Sequence, residues 1–194
     1  MDWPVDWAVD WAVDWAAAGP RGLIRVSAVP AKPAEPAEPA EHPSITSFRA
    51  ALERLGGSGR VVVLPESVHT AALAAEALGC AVGAIANSLV FDADGSPVLI
   101  LTSGAHRVDT AKVATRLGLE RLGRASPDFV RRHTGHAIGG VSPIDHPAPV
   151  PTYLDPWLAR YEEIWAAAGH PSAVFSTSYD ELLAMTGAAP LDVD

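Results

Sequence analysis

The sequence is short of cysteine: Cys80 is the only one in 194 residues. A single thiol excludes an intramolecular disulfide and a multi-cysteine zinc site, and its place after an apolar helical stretch suits a small packed hydrophobe. A reducing, cytoplasmic compartment is the simplest expectation. No uninterrupted apolar run of about 18 residues occurs, so no transmembrane helix and no membrane partner are expected. Asp2, Asp6 and Asp10 stand where a secretory leader would carry Lys or Arg. Positive charge is scarce too, with 14 Lys plus Arg against 23 Asp plus Glu and a formal charge of -9. That balance disfavours a general basic coat for gripping duplex DNA. What is present, 48% hydrophobic and 19% charged residues, suits one globular domain with a real core.

Residues 1–43 differ in kind from the rest. Asp2, Asp6, Asp10 and Asp14 are each followed by a tryptophan, and Val5, Val9 and Val13 precede the next Asp. At helical period the tryptophans form an i, i+4 stripe; at period two Trp and Val share a face, and periodicity does not choose. An aromatic docking segment and a low-complexity extension without catalytic role both fit, while the acidic residues argue against anionic lipid. Pro30, Pro33, Pro36 and Pro39 then recur at every third residue, which favours an extended polyproline-type linker. The folded domain is expected over residues 44–194.

Within it, Ile45, Phe48, Ala51, Leu52 and Leu55 recur at helical spacing before the stop at Gly56 and Gly57. Val61 to Leu64 reads as a strand, and Thr70 as the N-cap of an Ala-rich helix ending at Gly79. Ala84 to Phe91 and Pro97 to Thr102 form the clearest hairpin, turning through Asp92, Ala93, Asp94 and Gly95. Asp109 or Thr110 caps a helix to Gly118, and Ser126-Pro127-Asp128 opens another to about Thr134. Val150 to Leu154 reads as a strand. Asp155 and Pro156 are expected to open a helix to Gly169, buried along Trp157, Leu158, Tyr161, Ile164 and Trp165. Ala173 to Ser176 forms a last strand, and Ser178 with Glu181 has the spacing of a capping box. Irregular alternation with a hairpin inside favours an α+β domain on a mixed sheet over a doubly wound one.

The common strong motifs are missing: no phosphate-binding Gly-rich loop with its Lys, no His-Glu-x-x-His, no Gly-x-Ser-x-Gly. What stands out is the loop Gly139-Gly140-Val141-Ser142-Pro143, where two glycines let a substrate approach bare backbone N–H groups. Such donors stabilise the oxyanion of ester hydrolysis; an ordinary tight turn is the alternative. Upstream, Arg121, Arg124, Arg131, Arg132, His133 and His136 make a basic patch, either a solvated helix face or a seat for a few phosphates of a nucleic-acid end. His133 and His136, with Asp145 or His146, have metal-ligand types, but Gly135 between them breaks the helical facing, so no metal or organic cofactor is expected. Ser142, Asp145 and His146 are triad types too close in sequence to reach triad geometry readily.

The run Gly135-His136-Ala137-Ile138-Gly139-Gly140-Val141-Ser142-Pro143 resembles the Gly-x-x-x-Pro loop segment of the YbaK/ProX (YbaK/EbsC) aminoacyl-tRNA editing domains, the family associated with prolyl-tRNA synthetase. Asn87-Ser88-Leu89-Val90-Phe91, Asp109-Thr110-Ala111-Lys112 and Asp155-Pro156-Trp157 are similar to further family segments, in the family's order. The resemblance covers about residues 44–187. It implies a mixed, partly barrel-like sheet flanked by helices, with one pocket for the 3' aminoacyl-adenosine of a mischarged tRNA. The implied activity is hydrolysis of the ester joining a wrong amino acid to tRNA, commonly Cys or Ala on the proline tRNA, with water as attacker helped by the terminal ribose hydroxyl. The implied partners are that acceptor end and, further, an aminoacyl-tRNA synthetase. Residue by residue, Gly139 to Pro143 would bind the ester region, Ser88 would line the pocket and Thr70 would stand near the substrate side chain. Arg124, Arg131 and Arg132 would meet tRNA phosphates.

The family's functional lysine falls at position 87, where this sequence has Asn87. Asn donates hydrogen bonds without a charge-assisted grip. His106 and Arg107, next to Asp109 on the substrate side, are the expected replacements for that charge, and a noncatalytic aminoacyl-tRNA-binding relative is the alternative. Ala173-Val174-Phe175 is apolar where some Cys-removing relatives carry an acid, which favours a small aliphatic moiety.

Overall fold

The computed structural model of the chain describes residues 41–65 and 70–194. The Asp-Trp repeat and the proline-spaced segment lie outside the described residues. The first described helix, α1 (Pro43–Arg54), buries Ile45, Phe48, Ala51 and Leu52. His42 is its N-cap, accepting from the Ser44 N–H, and Pro43 supplies a first turn that needs no N–H partner. The helix therefore takes in two residues ahead of Ser44. Phe48 meets Phe175 with ring centroids 4.7 Å apart.

The hairpin forms as expected from β2 (Ile85–Ala93) and β3 (Ser96–Ser103). Its tip places Asp94 and Gly95 at φ 52 and 91, the left-handed pair of a tight hairpin turn, and Asp92 Oδ1 accepts from the Gly95 N–H at 2.6 Å. Around it lie β1 (Val61–Val63), β4 (Gly123–Arg124), β5 (Thr152–Leu154), β6 (Ile164–Ala167), β7 (Ala173–Thr177) and β8 (Ala189–Pro190). The sheet order is β1-β7-β6-β2-β3-β5-β8, with β4 pairing β2. The β2/β6, β3/β5 and β5/β8 pairs are parallel and the other pairs antiparallel, so the sheet is mixed. It is not a closed barrel: β1 and β8 end the path.

Helices α2 (Ala71–Leu78), α3 (Thr110–Leu117), α4 (Pro127–Thr134) and α5 (Tyr179–Thr186) flank the sheet. Each has the side-chain N-cap its sequence offers: Thr70, Asp109, Ser126 and Ser178. Ser178 accepts from the Glu181 N–H, while the Glu181 carboxylate accepts from Ser58 and Thr177.

One expectation fails. The helix from Asp155 to Gly169 is instead a 3-10 turn, Pro156–Arg160, followed by strand β6. Asp155 caps that single turn through the Trp157 N–H, and at Tyr161 the backbone is already extended. The apolar spacing 157-158-161-164-165 fits a helical stripe and also a turn followed by a strand. Tertiary pairing decides: Ile164 to Ala167 fills the gap between β2 and β7, and backbone pairing there outweighs local helical propensity.

Candidate active site

A cavity of about 440 Å³ opens where β2 and β6 run side by side. Its walls follow from the topology. The parallel pair places Ile85 opposite Trp165 and Ala86 opposite Ala166, and α2 lays Ala74 and its cap Thr70 across one end. The loop after α4 closes the other end with Ile138, Gly139 and Val141. Among the described residues its lining holds no titratable side chain; the polar groups are Thr70, Asn87 and Ser88.

The loop has a specific build. Gly135 ends α4 at φ 77 and Gly139 turns the chain at φ 89, both left-handed conformations that favour glycine. The Gly140 N–H is spent inside the loop, donating to the Ala137 carbonyl at 2.9 Å. A Cβ on Gly140 would lie 2.6 Å from the backbone of His170 and Pro171, so only glycine fits against that segment. Among the described residues no backbone carbonyl accepts from Gly139 or Val141. Their N–H groups, like that of Ile138, are without a protein acceptor among the described residues.

The expected site residues separate into two groups. Thr70, Asn87, Ser88, Gly139 and Val141 all line the cavity. Thr70 Oγ1 also accepts from the Leu73 N–H at 3.2 Å, and the Ser88 Oγ is buried without a partner among the described residues. Gly140 supports the wall from behind. Ser142 and Pro143 are buried beneath it, with the Ser142 hydroxyl donating to the Ile144 carbonyl. His146 meets the Ser142 carbonyl rather than its hydroxyl, and Asp145 accepts from Ser47, so the three triad types form no relay.

His106, Arg107 and Asp109 do not line the cavity. The His106 Nδ1 lies 2.9 Å from Asp155 Oδ2, off the line of a good hydrogen bond, and its ring packs 4.6 Å from Trp157. Arg107 is exposed, and Asp109 Oδ1 accepts from the N–H groups of Ala111 and Lys112 as a helix cap. Arg124, Arg131 and Arg132 are exposed and have no acidic partner among the described residues. His133 packs on Phe129, with ring centroids 4.3 Å apart.

Sequence reasoning missed Trp165, Ala167, Pro171 and Leu64 as cavity residues. Reading 155–169 as a helix hid the first two. Pro171 lies in a turn that only the approach of Gly140 marks as functional.

Residues 65–185, well over half of the chain and all of the cavity walls except Leu64, match the model of the aminoacyl-tRNA editing domain. The chain belongs to that family. Within this aminoacyl-tRNA editing family, "Uncharacterized protein YwhH" of Bacillus subtilis (strain 168) is 31% identical over 140 residues, covering 72% of this chain and 88% of that one. A solved protein described as a candidate trans-editing enzyme for prolyl tRNA synthetase shares 46% identity and superposes with a TM-score of 0.75, over 80% of this chain and 99% of its own. The proline-tRNA ligase of Levilactobacillus brevis (strain ATCC 367) is 31% identical over 77 residues, 40% of this chain but 14% of the ligase. The editing domain thus recurs as a small part of a much longer synthetase and as a protein of about this size. No helix among the described residues is long and apolar enough to cross a membrane.

Proposed function

We propose that this editing domain is a trans-editing hydrolase that cleaves the ester of mischarged aminoacyl-tRNA of the proline type, with the aminoacyl-adenosine end in the 440 Å³ cavity. The observation that supports the reading is the loop wall, where Gly139 and Val141 line the cavity with N–H groups that no described carbonyl takes up, while Gly140 is packed too tightly for any side chain. A tetrahedral intermediate develops negative charge at the carbonyl oxygen, and one fixed amide donor stabilises such charge by about 3–4 kcal/mol. Asn87 orients the ester or ribose by neutral hydrogen bonds. Because no acid or base lines the described cavity, the attacking water is activated by the substrate's own ribose hydroxyl. The apolar floor of Ile85, Trp165 and Val174 favours a small uncharged moiety such as Ala or Cys.

Exposed Arg124, Arg131 and Arg132 meet acceptor-stem phosphates, and a synthetase is the natural supplier of the mischarged substrate. The test is amino-acid release from Ala- and Cys-charged proline tRNA by wild type and by Gly140→Ala. Release by wild type with a loss of about 100-fold or more in the variant is expected, because displacing the loop removes aligned donors. Equal release by both proteins would remove the loop from the mechanism.

A second reading is kept by one observation: the cavity carries Asn87 where the family has lysine. On that reading the domain binds aminoacyl-tRNA without hydrolysing it.

A further inference from the structure

Behind the loop wall sits a second group of side chains that the reaction above does not use. His136 is 6% exposed, and its Nδ1 is buried with no partner among the described residues. Its Nε2 lies 3.4 Å from where a Cβ on Gly169 would stand, in the segment whose next two residues press on Gly140. His146 packs edge-on to it with ring centroids 5.9 Å apart. The His146 Nε2 lies 2.8 Å from the Ser142 carbonyl oxygen. A carbonyl only accepts, so Nε2 carries the proton and donates, which fixes the tautomer. The loop is therefore held from both sides: His170 and Pro171 abut Gly140, and His146 pins the Ser142–Pro143 peptide.

We propose that His146, seated against His136, is a positioning residue that holds the Gly139–Ser142 wall so that its N–H groups face the cavity. That the wall is a substrate wall rests on the hydrolase reading; that His146 holds it does not. The bond runs to the Ser142–Pro143 peptide, two peptide planes beyond the one that carries the Val141 N–H, so losing it frees the C-terminal end of the wall. It also leaves a buried carbonyl without its partner, a loss that loosens local structure about tenfold. Burial, and then the neighbouring ring, hold His136 below the ordinary imidazole range; burial lowers His146 against the opposing bond to Ser142 and the charge of Asp145. The charged or titratable groups around the pair are Asp145, Arg54 of α1 at 4.0 Å from Asp145, and His42 with His170, whose rings lie 4.5 Å apart beyond Gly169.

The experiment uses the full chain labelled for NMR, as wild type, His146→Ala and His146→Gln, the last placing an uncharged donor near the Nε2 position. Amide hydrogen exchange at Gly140, whose N–H is bonded to the Ala137 carbonyl within the wall, is expected to quicken about tenfold in His146→Ala and to recover in His146→Gln. In both variants the His136 titration is expected to move up toward the ordinary imidazole range, since its neighbouring ring is gone. kcat/KM for amino-acid release is expected to follow exchange, about tenfold down in Ala and within about threefold of wild type in Gln. Unchanged exchange in His146→Ala, or a His146→Gln that is folded yet as loose as Ala, would overturn the proposal. A wild type that shows the exchange response but releases no amino acid supports the positioning role and rejects the hydrolase reading instead.

Discussion

On the proposed reading, Asn87 decides how this cavity works. It lines the wall at the position where the family resemblance implies a lysine, and no charged side chain among the described residues lines the cavity in its stead. The expectation that His106 and Arg107 would replace the charge meets a physical obstacle: His106 faces Asp155 and Trp157, and Arg107 points to solvent. Sequence adjacency placed them near Asp109, but Asp109 is itself committed to capping α3. An uncharged amide gives a weaker grip than an ammonium and suits a site whose remaining electrostatics come from backbone N–H groups. Asn87→Lys is the corresponding prediction. In a working hydrolase the bulkier, desolvated ammonium is expected to lower amino-acid release by about tenfold or more. A gain in release from an inactive wild type would favour the binding reading.

At the scale of elements, the hairpin, five of the six helices read from sequence and the N-caps Thr70, Asp109, Ser126 and Ser178 are where spacing and cap chemistry put them. Those signals are local: Asp94-Gly95 needs left-handed backbone, and Ser, Thr and Asp accept from the N–H groups just downstream. What was not legible depends on distant partners. β6 is a strand because β2 and β7 flank it, and the two-residue strands β4 and β8 carry almost no periodic signal. The cavity was half legible for the same reason: Asn87, Thr70 and Gly139 lie in recognisable segments, whereas Trp165 joins them only through the β2/β6 pairing.

Asp155 shows how the misread segment is anchored. It is 2% exposed; one oxygen accepts from the Trp157 N–H at 2.9 Å and the other from the Ser103 N–H at 3.0 Å, joining the end of β3 to the turn before β6. Asp155→Ala leaves both donors unpaired and is expected to cost about 2–4 kcal/mol in urea unfolding, with Asp155→Asn costing less. An alanine variant as stable as wild type would show that the turn is held by packing alone.

At the scale of the whole molecule, an acidic chain carries a cavity lined by no charged side chain among the described residues and a small exposed group of arginines. Net charge of -9 repels polyanions at long range, so on the proposed reading tRNA engagement rests on local contacts and on the ester end bound in the cavity. With about three phosphate contacts, binding should weaken with salt far more gently than for a basic nucleic-acid coat. The account stands or falls on where the aminoacyl end binds. The most direct measurement is an amide chemical-shift titration of the full chain with a nonhydrolysable, amide-linked 3'-alanyl-adenosine. Saturable shifts concentrated at Asn87, Gly139, Val141 and Trp165 are predicted; saturable shifts confined to other surfaces, or no shifts at millimolar ligand, would contradict the assignment of this cavity.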